Sequence, residues 1–313
     1  MKVKVFIDGS SGTTGLRIAD RLAERPEIEL LSISAEGRKD VHERAKVINS
    51  ADLAFLCLPD AASKEVMPLL RPDVKVLDTS TAFRTDAVWD YGFPELAGQK
   101  EKIKNSYRVA VPGCYASGFI SIARPLVELG LAPASYPFSC TGISGYSGGG
   151  KKMIAEYEST DRPAHSKLDA PKSYGLGLAH KHLPEMQKIS GLAHTPMFVP
   201  VVCDYYCGMQ VLVPLDLKLA GTTAEAVAAG FADYYKDAAT VKVHALNETL
   251  PENGLYSNTM AGTDRMELYM TVNAAGDQMM LVSLFDNLGK GSSGAALQCM
   301  NLMLGLPETE GLE

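Results

Sequence analysis

The N-terminal stretch KVKVFIDGSSGTTGLRIADRL is the feature that most constrains how this 313-residue chain can fold. An apolar strand pattern, KVKVFID, runs directly into a glycine-rich loop and then into a helical pattern. Ordinary βα turns share the G-x-x-G-x-x-G spacing, but its place after the first strand favours a loop that cradles a dinucleotide pyrophosphate. The predicted cofactor-binding residues of this loop are Gly9, Ser10, Ser11, Gly12, Thr13, Thr14 and Gly15.

Strand and helix patterns continue to alternate after this unit, through IELLSIS, DLAFLCLP, KEVMPLLRP, VKVLDTS and YRVAVPG. That alternation predicts a parallel sheet with helices on its faces. From about residue 137 the strands become longer, with one helix near TTAEAVAAGFADYYKDA, which predicts an α+β second domain on a mostly antiparallel sheet. The C-terminal GKGSSGAALQCMNLMLG predicts a helix that packs back on the first domain. The fold class is therefore α/β with two domains.

Charge and apolar patterning exclude several classes of partner. A net charge of −7 leaves no basic excess for a nucleic acid. The longest apolar runs span only a few residues, so no membrane segment is predicted. Six cysteines are scattered through a chain too long to need disulfide bonds, which indicates a reducing, cytoplasmic location. Their spacing offers no convincing set of metal ligands, so no metal site is expected.

Cys114 stands where an apolar strand pattern, a Pro-Gly break and a helical pattern meet, in VPGCYASGF. A helix N-terminus favours the thiolate through its unpaired N–H groups and dipole, so Cys114 is the candidate nucleophile. A buried small residue at a helix start is the alternative. The other cysteines fall in apolar strand or helix patterns and are expected to be structural: Cys57, Cys140, Cys203, Cys207 and Cys299.

The stretch GLAHKHLPE supplies proton-transfer and binding groups. His180 is the candidate acid–base residue, while His182 and Glu185 are candidates for substrate binding. A third ligand with suitable spacing is missing from the sequence pattern, so a metal role is disfavoured. The remaining histidines are expected at the surface: His42, His165, His194 and His244.

Three further polar segments follow strands or glycines. After the second strand, Ser34, Arg38 and Lys39 suit the 2′-phosphate of NADP, although Glu36 would suit NAD. Asp78 to Arg84 puts Ser80 and Arg84 at the carboxyl edge of the sheet, where Ser80 is a candidate cofactor contact and Arg84 suits a phosphate or carboxylate of the substrate. The hydroxyl-rich segment 141–152 is predicted to be a flexible loop whose Ser144 binds an anionic group, or else a structural crossover.

Six segments together resemble the N-acetyl-gamma-glutamyl-phosphate reductase family, in its short form, and span nearly the whole chain in order. They are GSSGTTG, DTSTAFR, VPGCYASGF, GISGYSGGGKK, HKHLPEM and DNLGKGSSGAALQCMNLMLG. The resemblance implies a Rossmann-like NADP-binding domain of residues 1–115 and 288–313, and a catalytic and dimerisation domain of residues 116–287. By position, Cys114 matches the family nucleophile and His180 and His182 fall in its histidine motif. Asn287, in the DNLGKG segment, is expected to contact the cofactor.

The resemblance further implies NADPH-dependent reduction of an acyl phosphate through a cysteine thioester in arginine biosynthesis, by a homodimer or homotetramer. Aspartate-semialdehyde dehydrogenase, or a reductase of a carrier-bound amino-adipyl phosphate, is the nearest enzymatic alternative. A non-enzymatic NADP-sensing module would need the glycine loop but neither Cys114 nor the histidine stretch.

Overall fold

The computed structural model describes residues 2–313, which divide into two compact units. The first unit comprises the chain up to Pro94, Gly98–Pro112 and Ser292–Leu312, and the second comprises Glu95–Ala97, Gly113–Gly291 and Glu313. The sequence-based boundaries after residue 115 and before residue 288 differ from these by three and four residues. The differences assign Cys114 and the segment 288–291 to the second unit. Within residues 2–313, none of the helices has both the length and the apolar character needed to cross a bilayer.

The strands are numbered along the chain. They are β1 (Val3–Asp8), β2 (Ile28–Leu31), β3 (Leu53–Leu56), β4 (Lys75–Asp78), β5 (Asp90–Tyr91), β6 (Arg108–Ala110), β7 (Ser139–Gly145), β8 (Lys172–Ser173), β9 (Met197–Cys203), β10 (Met209–Asp216), β11 (Val241–Val243), β12 (Met266–Val272) and β13 (Gln278–Phe285).

The α-helices are α1 (Thr13–Ala23), α2 (Val41–Ser50), α3 (Asp60–Val66), α4 (Gln99–Asn105), α5 (Cys114–Glu128), α6 (Gly150–Tyr157), α7 (Leu183–Ser190), α8 (Leu217–Ala220), α9 (Ala224–Tyr234) and α10 (Gly294–Leu304). Short 3-10 turns occupy Gly37–Lys39, Met67–Leu69, Tyr146–Gly149, Lys167–Asp169 and Pro251–Asn253, and a π-helical turn occupies Gly289–Ser293.

The first unit is built on a parallel sheet with strand order β2-β1-β3-β4-β6-β5. Val5 and Ile7 of β1 enter a core cluster that contains residues of α1 and α10, whereas Phe6 enters a second cluster with residues of α2 and α3. Both faces of the sheet are therefore covered, which explains why the strands read as continuous apolar runs. The chain order reverses between β1 and β3, and ligands of such sheets bind at the carboxyl ends of strands at that point.

The second unit is built on a mixed, mostly antiparallel sheet with strand order β11-β12-β13-β10-β7-β9-β8. Only β11 with β12 and β7 with β9 pair in parallel among the described strands of this sheet. Helix α5 packs on β10 and β13, and α7 packs on α5. The predicted combination of a parallel-sheet unit and an α+β unit is confirmed.

Three local expectations were wrong. Segment 141–152 is not a flexible loop: its first part belongs to β7 in the interior of the sheet, and its lysines start α6. His244 is buried rather than at the surface, because its two ring nitrogens bond to the carboxylates of Glu248 at 2.8 Å and Glu267 at 2.9 Å. Cys57 and Cys207 lie outside any strand or helix, Cys57 directly after β3 and Cys207 in the loop between β9 and β10.

Gly118 is the point of closest approach between α5 and its sheet. A Cβ at this position would lie 2.5 Å from Val211 Cγ2 and 2.7 Å from Ser283 Oγ. Alanine would add about 1 kcal/mol of helix propensity, but the overpacking should outweigh it. We expect Gly118→Ala to lower the free energy of unfolding by about 1–3 kcal/mol in urea denaturation. Gly254→Ala is the control, because no atom lies within 4 Å of a Cβ there; equal stability of the two variants would contradict the close packing.

Candidate active site

Cys114 is the first residue of α5. The preceding Gly113 is the N-cap in an extended conformation, with φ −77° and ψ 145°, and its carbonyl accepts from the N–H of Ser117 at 2.8 Å. Residues Tyr115 to Ala123 are buried, so the apolar body of the helix fixes the position of its N-terminus. Cys114 itself is only half-buried. The structure thus exposes a thiol to the positive end of a buried helix dipole.

Glu185 connects the start of α5 to the first turn of α7. The N–H of Gly113 donates to Glu185 Oε2 at 3.3 Å, and Glu185 is 2% exposed. His182 is the N-cap of α7 and is also buried. The predicted residues His182 and Glu185 therefore lie in the wall around the start of α5, where Glu185 holds the backbone next to Cys114.

Aromatic and imidazole rings surround Tyr115, the residue that follows Cys114. The Tyr115 ring lies 5.9 Å from the ring of His180, 6.2 Å from His182 and 5.1 Å from Phe198, measured between centroids. Gly142 of β7 makes room for it, since a Cβ there would lie 2.4 Å from Tyr115 Cδ1. Both predicted histidines are thereby brought next to the start of α5.

His180 is held as a neutral ring. Burial, followed by the charge of Lys181, lowers its pKa to about 4. Its Nδ1 accepts a hydrogen bond from the backbone N–H of His182 at 3.1 Å, so the proton of the neutral ring is on Nε2. At neutral pH His180 therefore presents an Nε2–H donor and is not an imidazolium. The predicted role of His180 as the acid–base residue stays a prediction.

Two tyrosine hydroxyls, which the sequence analysis did not single out, lie near the thiol. Burial raises the pKa of Tyr115 far above its ordinary value, and the neighbouring Tyr174 and the charge of Cys114 raise it further. Burial also raises the pKa of Tyr174, with a contribution from the charge of Cys114. Ser144 is buried and hydrogen-bonds Tyr115, while its own hydroxyl donates to the carbonyl of Gly145 at 3.0 Å. Both tyrosines remain protonated, and the Tyr115 hydroxyl donates to the carbonyl of Val201 at 3.2 Å.

The glycine loop of the first unit fits a dinucleotide phosphate. Gly9 has φ +88°, and a Cβ there would lie 2.3 Å from the carbonyl oxygen of Cys57. A Cβ at Gly15 would lie 2.5 Å from the carbonyl oxygen of Gly9. The loop therefore requires glycine at both positions, and it leads through the extended N-cap Gly12 into α1.

A cavity of about 350 Å³ adjoins this loop. Its lining includes Gly9, Ser10 and Ser11, the end of β2 and the side chain of Arg38. Ser34 lines a neighbouring cavity, and its Oγ accepts from the N–H of Gly37 at 3.0 Å. Lys39 follows Arg38 in the same 3-10 turn and is exposed. A positive side chain thus lies at the carboxyl end of the sheet together with the phosphate loop.

Ser80 and Arg84 lie after β4 in the first unit, and both are buried. The Ser80 hydroxyl donates to Asp78 Oδ1 at 2.5 Å. Arg84 donates through Nε to the carbonyl of Val111 and through Nη2 to that of Thr79, each at 2.9 Å. These bonds hold the ends of β4 and β6 together, and binding of a substrate phosphate by Arg84 stays a prediction.

Asn287 is buried in the second unit. Its Oδ1 accepts from the N–H of Gly208 at 2.9 Å and its Nδ2 donates to Ser147 Oγ at 2.9 Å. It joins three loops of that unit, and its predicted contact with the cofactor stays a prediction. Among the side chains that the structure describes, no three of the His, Cys, Asp and Glu types form a group able to hold a metal ion.

Two parts of the chain match the sequence profiles of known domain families. Residues 4–106 match the semialdehyde dehydrogenase NAD binding domain, and residues 114–287 match the semialdehyde dehydrogenase dimerisation domain. The N-acetyl-gamma-glutamyl-phosphate reductase of Trichormus variabilis is 46% identical over 99% of each chain. That of Burkholderia cenocepacia is 46% identical over 96% of this chain and 97% of the relative.

Solved structures share the fold at low identity. Aspartate semialdehyde dehydrogenase II of Vibrio cholerae, complexed with ASA, aligns with a TM-score of 0.71 at 18% identity, over 97% of this chain and 99% of that one. The aspartate semialdehyde dehydrogenase of Francisella tularensis aligns with a TM-score of 0.72 at 15% identity, over 96% and 100%. At such identities the likeness establishes the fold alone.

The ring of His180 should titrate far below an ordinary histidine. We expect its NMR chemical shifts to change with a midpoint near pH 4 rather than 6.5. The ring should therefore stay neutral throughout the range in which the protein is assayed. Lys181→Ala should move the midpoint upward, because the lysine charge disfavours the protonated ring. A midpoint above about 6 would show that His180 is solvated or ion-paired instead.

Proposed function

Because this chain belongs to the N-acetyl-gamma-glutamyl-phosphate reductase family, we propose that it uses NADPH to reduce N-acetyl-L-glutamyl 5-phosphate to N-acetyl-L-glutamate 5-semialdehyde. Phosphate is released, and the reaction is a step of arginine biosynthesis. The observation that carries the proposal is the half-buried thiol of Cys114 at the first residue of a buried helix. An acyl-phosphate reductase needs such a nucleophile, whereas a cofactor-sensing module does not.

Cys114 acts as the covalent nucleophile. Its thiolate attacks the acyl carbon, the phosphate leaves with the C–O bonding electrons, and a thioester remains on the sulfur. The backbone N–H groups in the first turn of α5 are directed toward the N-terminus and stabilise the negative charge that develops on the acyl oxygen. Loss of one such donor typically lowers a rate about a hundredfold, so the rigidity of this turn matters for turnover.

His180 contributes a neutral donor to this step. With its proton on Nε2, the ring can donate a hydrogen bond to an oxygen of the substrate without the desolvation that a buried imidazolium would require. His182 and Glu185 shape the wall of the substrate site, and Ser144 supports it through Tyr115. Arg84 is proposed to bind an anionic group of the substrate, and its two bonds to backbone carbonyls would hold the guanidinium in place.

The first unit holds NADPH. The glycine loop binds the pyrophosphate, and Arg38 pairs with the 2′-phosphate, assisted by Ser34 and Lys39. Ser80 and Asn287 remain proposed contacts of the cofactor. When bound, the nicotinamide supplies the hydride that reduces the acyl group to the aldehyde.

The second unit matches a dimerisation domain, and we propose a homodimer or homotetramer. Light scattering of the purified protein tests this assembly. A nucleophilic thiol must stay reduced, so the proposed site of action is the cytoplasm.

Cys114→Ser should lose turnover by about a thousandfold or more, because a hydroxyl stays protonated at neutral pH, while NADPH binding stays unchanged. The measurement is phosphate-dependent reduction of NADP by N-acetylglutamate semialdehyde, with aspartate semialdehyde as the competing substrate. Cys203→Ser is the matched control, since Cys203 is also half-buried in the second unit and should tolerate the change. Retained turnover in Cys114→Ser, or a preference for aspartate semialdehyde, would contradict the proposal.

Arg38→Ala should weaken the binding of NADPH by about 1.5–3 kcal/mol, the range for a hydrogen bond to a charged group. The binding of NADH should stay nearly unchanged. Lys39→Ala removes the same charge from the same exposed turn and should have the smaller effect, because Arg38 lines the cavity beside the glycine loop. Fluorescence titration of both cofactors measures the difference. Equal loss in the two variants would indicate a general effect of charge rather than a contact made by Arg38.

A further inference from the structure

The π-helical turn Gly289–Ser293 follows β13 in a tightly bonded segment. The N–H of Gly291 donates to the carbonyl of Asp286 at 2.9 Å, five residues back. The Asp286 carboxylate accepts from the N–H groups of Leu288 and Gly262, each at 2.7 Å. A Cβ at Gly289 would lie 2.0 Å from the carbonyl oxygen of Thr263. Wide turns of this kind occur often at functional sites, and this one has little freedom to shift.

Lys290, within this turn, makes a buried ion pair with Glu95. The side chains are 2% and 1% exposed, and Lys290 Nζ lies 2.8 Å from both carboxylate oxygens. Thr240 Oγ1 donates to Glu95 Oε1 at 2.5 Å. Of the lysines in residues 2–313, Lys290 alone is buried. The free-energy cost of desolvating two charges often cancels their mutual attraction. Stabilisation of the fold therefore does not by itself explain why this buried pair is present.

The turn lies directly against the nucleophile. A Cβ at Gly291 would be 2.9 Å from the Cβ of Cys114 and 3.2 Å from Phe285 Cε2. Gly291 therefore leaves no room for a side chain beside the carbon that carries the thiol. Lys290, which carries the buried ion pair, is the adjacent residue in the same turn.

We propose that Lys290, through its ion pair with Glu95, is a positioning residue for Cys114. The pair holds the turn so that Gly291 restricts the Cβ of Cys114 and keeps the thiol over the N-terminus of α5. The proposal rests on the proposed role of Cys114 as the nucleophile. The sequence-based domain boundary assigned Lys290 to the NADP-binding domain, whereas the structure has it in the second unit together with Cys114.

Lys290→Met tests the proposal, because it keeps the length of the side chain and removes the charge. We expect kcat to fall about a hundredfold, the effect of misplacing a reacting group by about 1 Å, with little change in the KM for NADPH. Alkylation of Cys114 by iodoacetamide, followed by peptide mapping, should become slower. Its pH profile should move upward by about half a unit as the thiol moves away from the helix N-terminus.

Arg25→Met is the matched control, since it removes another buried cation, paired with Glu27 in the first unit. It should lower the melting temperature and leave the alkylation profile of Cys114 unchanged. A wild-type profile and wild-type kcat in folded Lys290→Met would overturn the proposal, as would an equal shift of the profile in Arg25→Met.

Gly291→Ala decides the question if Lys290→Met does not fold. It leaves the ion pair in place and adds a methyl group against Cys114, so the same slowing and upward shift are expected. An unchanged profile in this variant would overturn the proposal. Alkylation does not depend on turnover. Retained turnover in Cys114→Ser would therefore reject the proposed function separately, while the profiles would still report whether the turn positions the thiol.

Discussion

The hydrogen bond from the N–H of Gly113 to the buried carboxylate of Glu185 fixes where α5 begins relative to α7. The orientation of Cys114, the packing of Tyr115 among the histidine rings and the tight contact at Gly118 all depend on that position. A shift of α5 along its axis would move the thiol and would disturb the close packing of Gly118 against Val211. Close packing in the body of α5 therefore fixes the position of the Cys114 thiol at its N-terminus.

Buried charge is concentrated around the same helix end. Glu185 and the Lys290–Glu95 pair are all nearly inaccessible in the second unit, where an unpaired charge would be expensive. Replacing such a pair by apolar residues is often neutral or stabilising, so stability alone does not explain it. Charged hydrogen bonds are directional, however, and can hold a backbone turn at one place against a thiol.

Sequence reasoning predicted the features that depend on neighbouring residues. The strand, glycine loop and helix at residues 3–23 and the helix starting at Cys114 are local patterns, and the family resemblance built on them is confirmed. The Lys290–Glu95 pair joins residues 195 positions apart, and no local pattern links them. His244 was placed at the surface for the same reason, since Glu267 is distant in sequence. Burial of His180, which lowers its pKa, likewise follows from tertiary packing.

The neutral state of His180 changes how the thiolate of Cys114 must be stabilised. An imidazolium close to the sulfur would provide a full positive charge, as in enzymes with a cysteine–histidine pair. Here that charge is missing at neutral pH, because the pKa of His180 is about 4. The first turn of α5 supplies positive potential next to the sulfur, and its dipole contributes about 0.3–2 kcal/mol depending on burial and geometry. An interaction of that size falls off within one helical turn, so the position of the thiol decides how much of it is used. The lack of room for a side chain between Gly291 and the Cβ of Cys114 therefore bears on the chemistry of the thiol as well as on the packing.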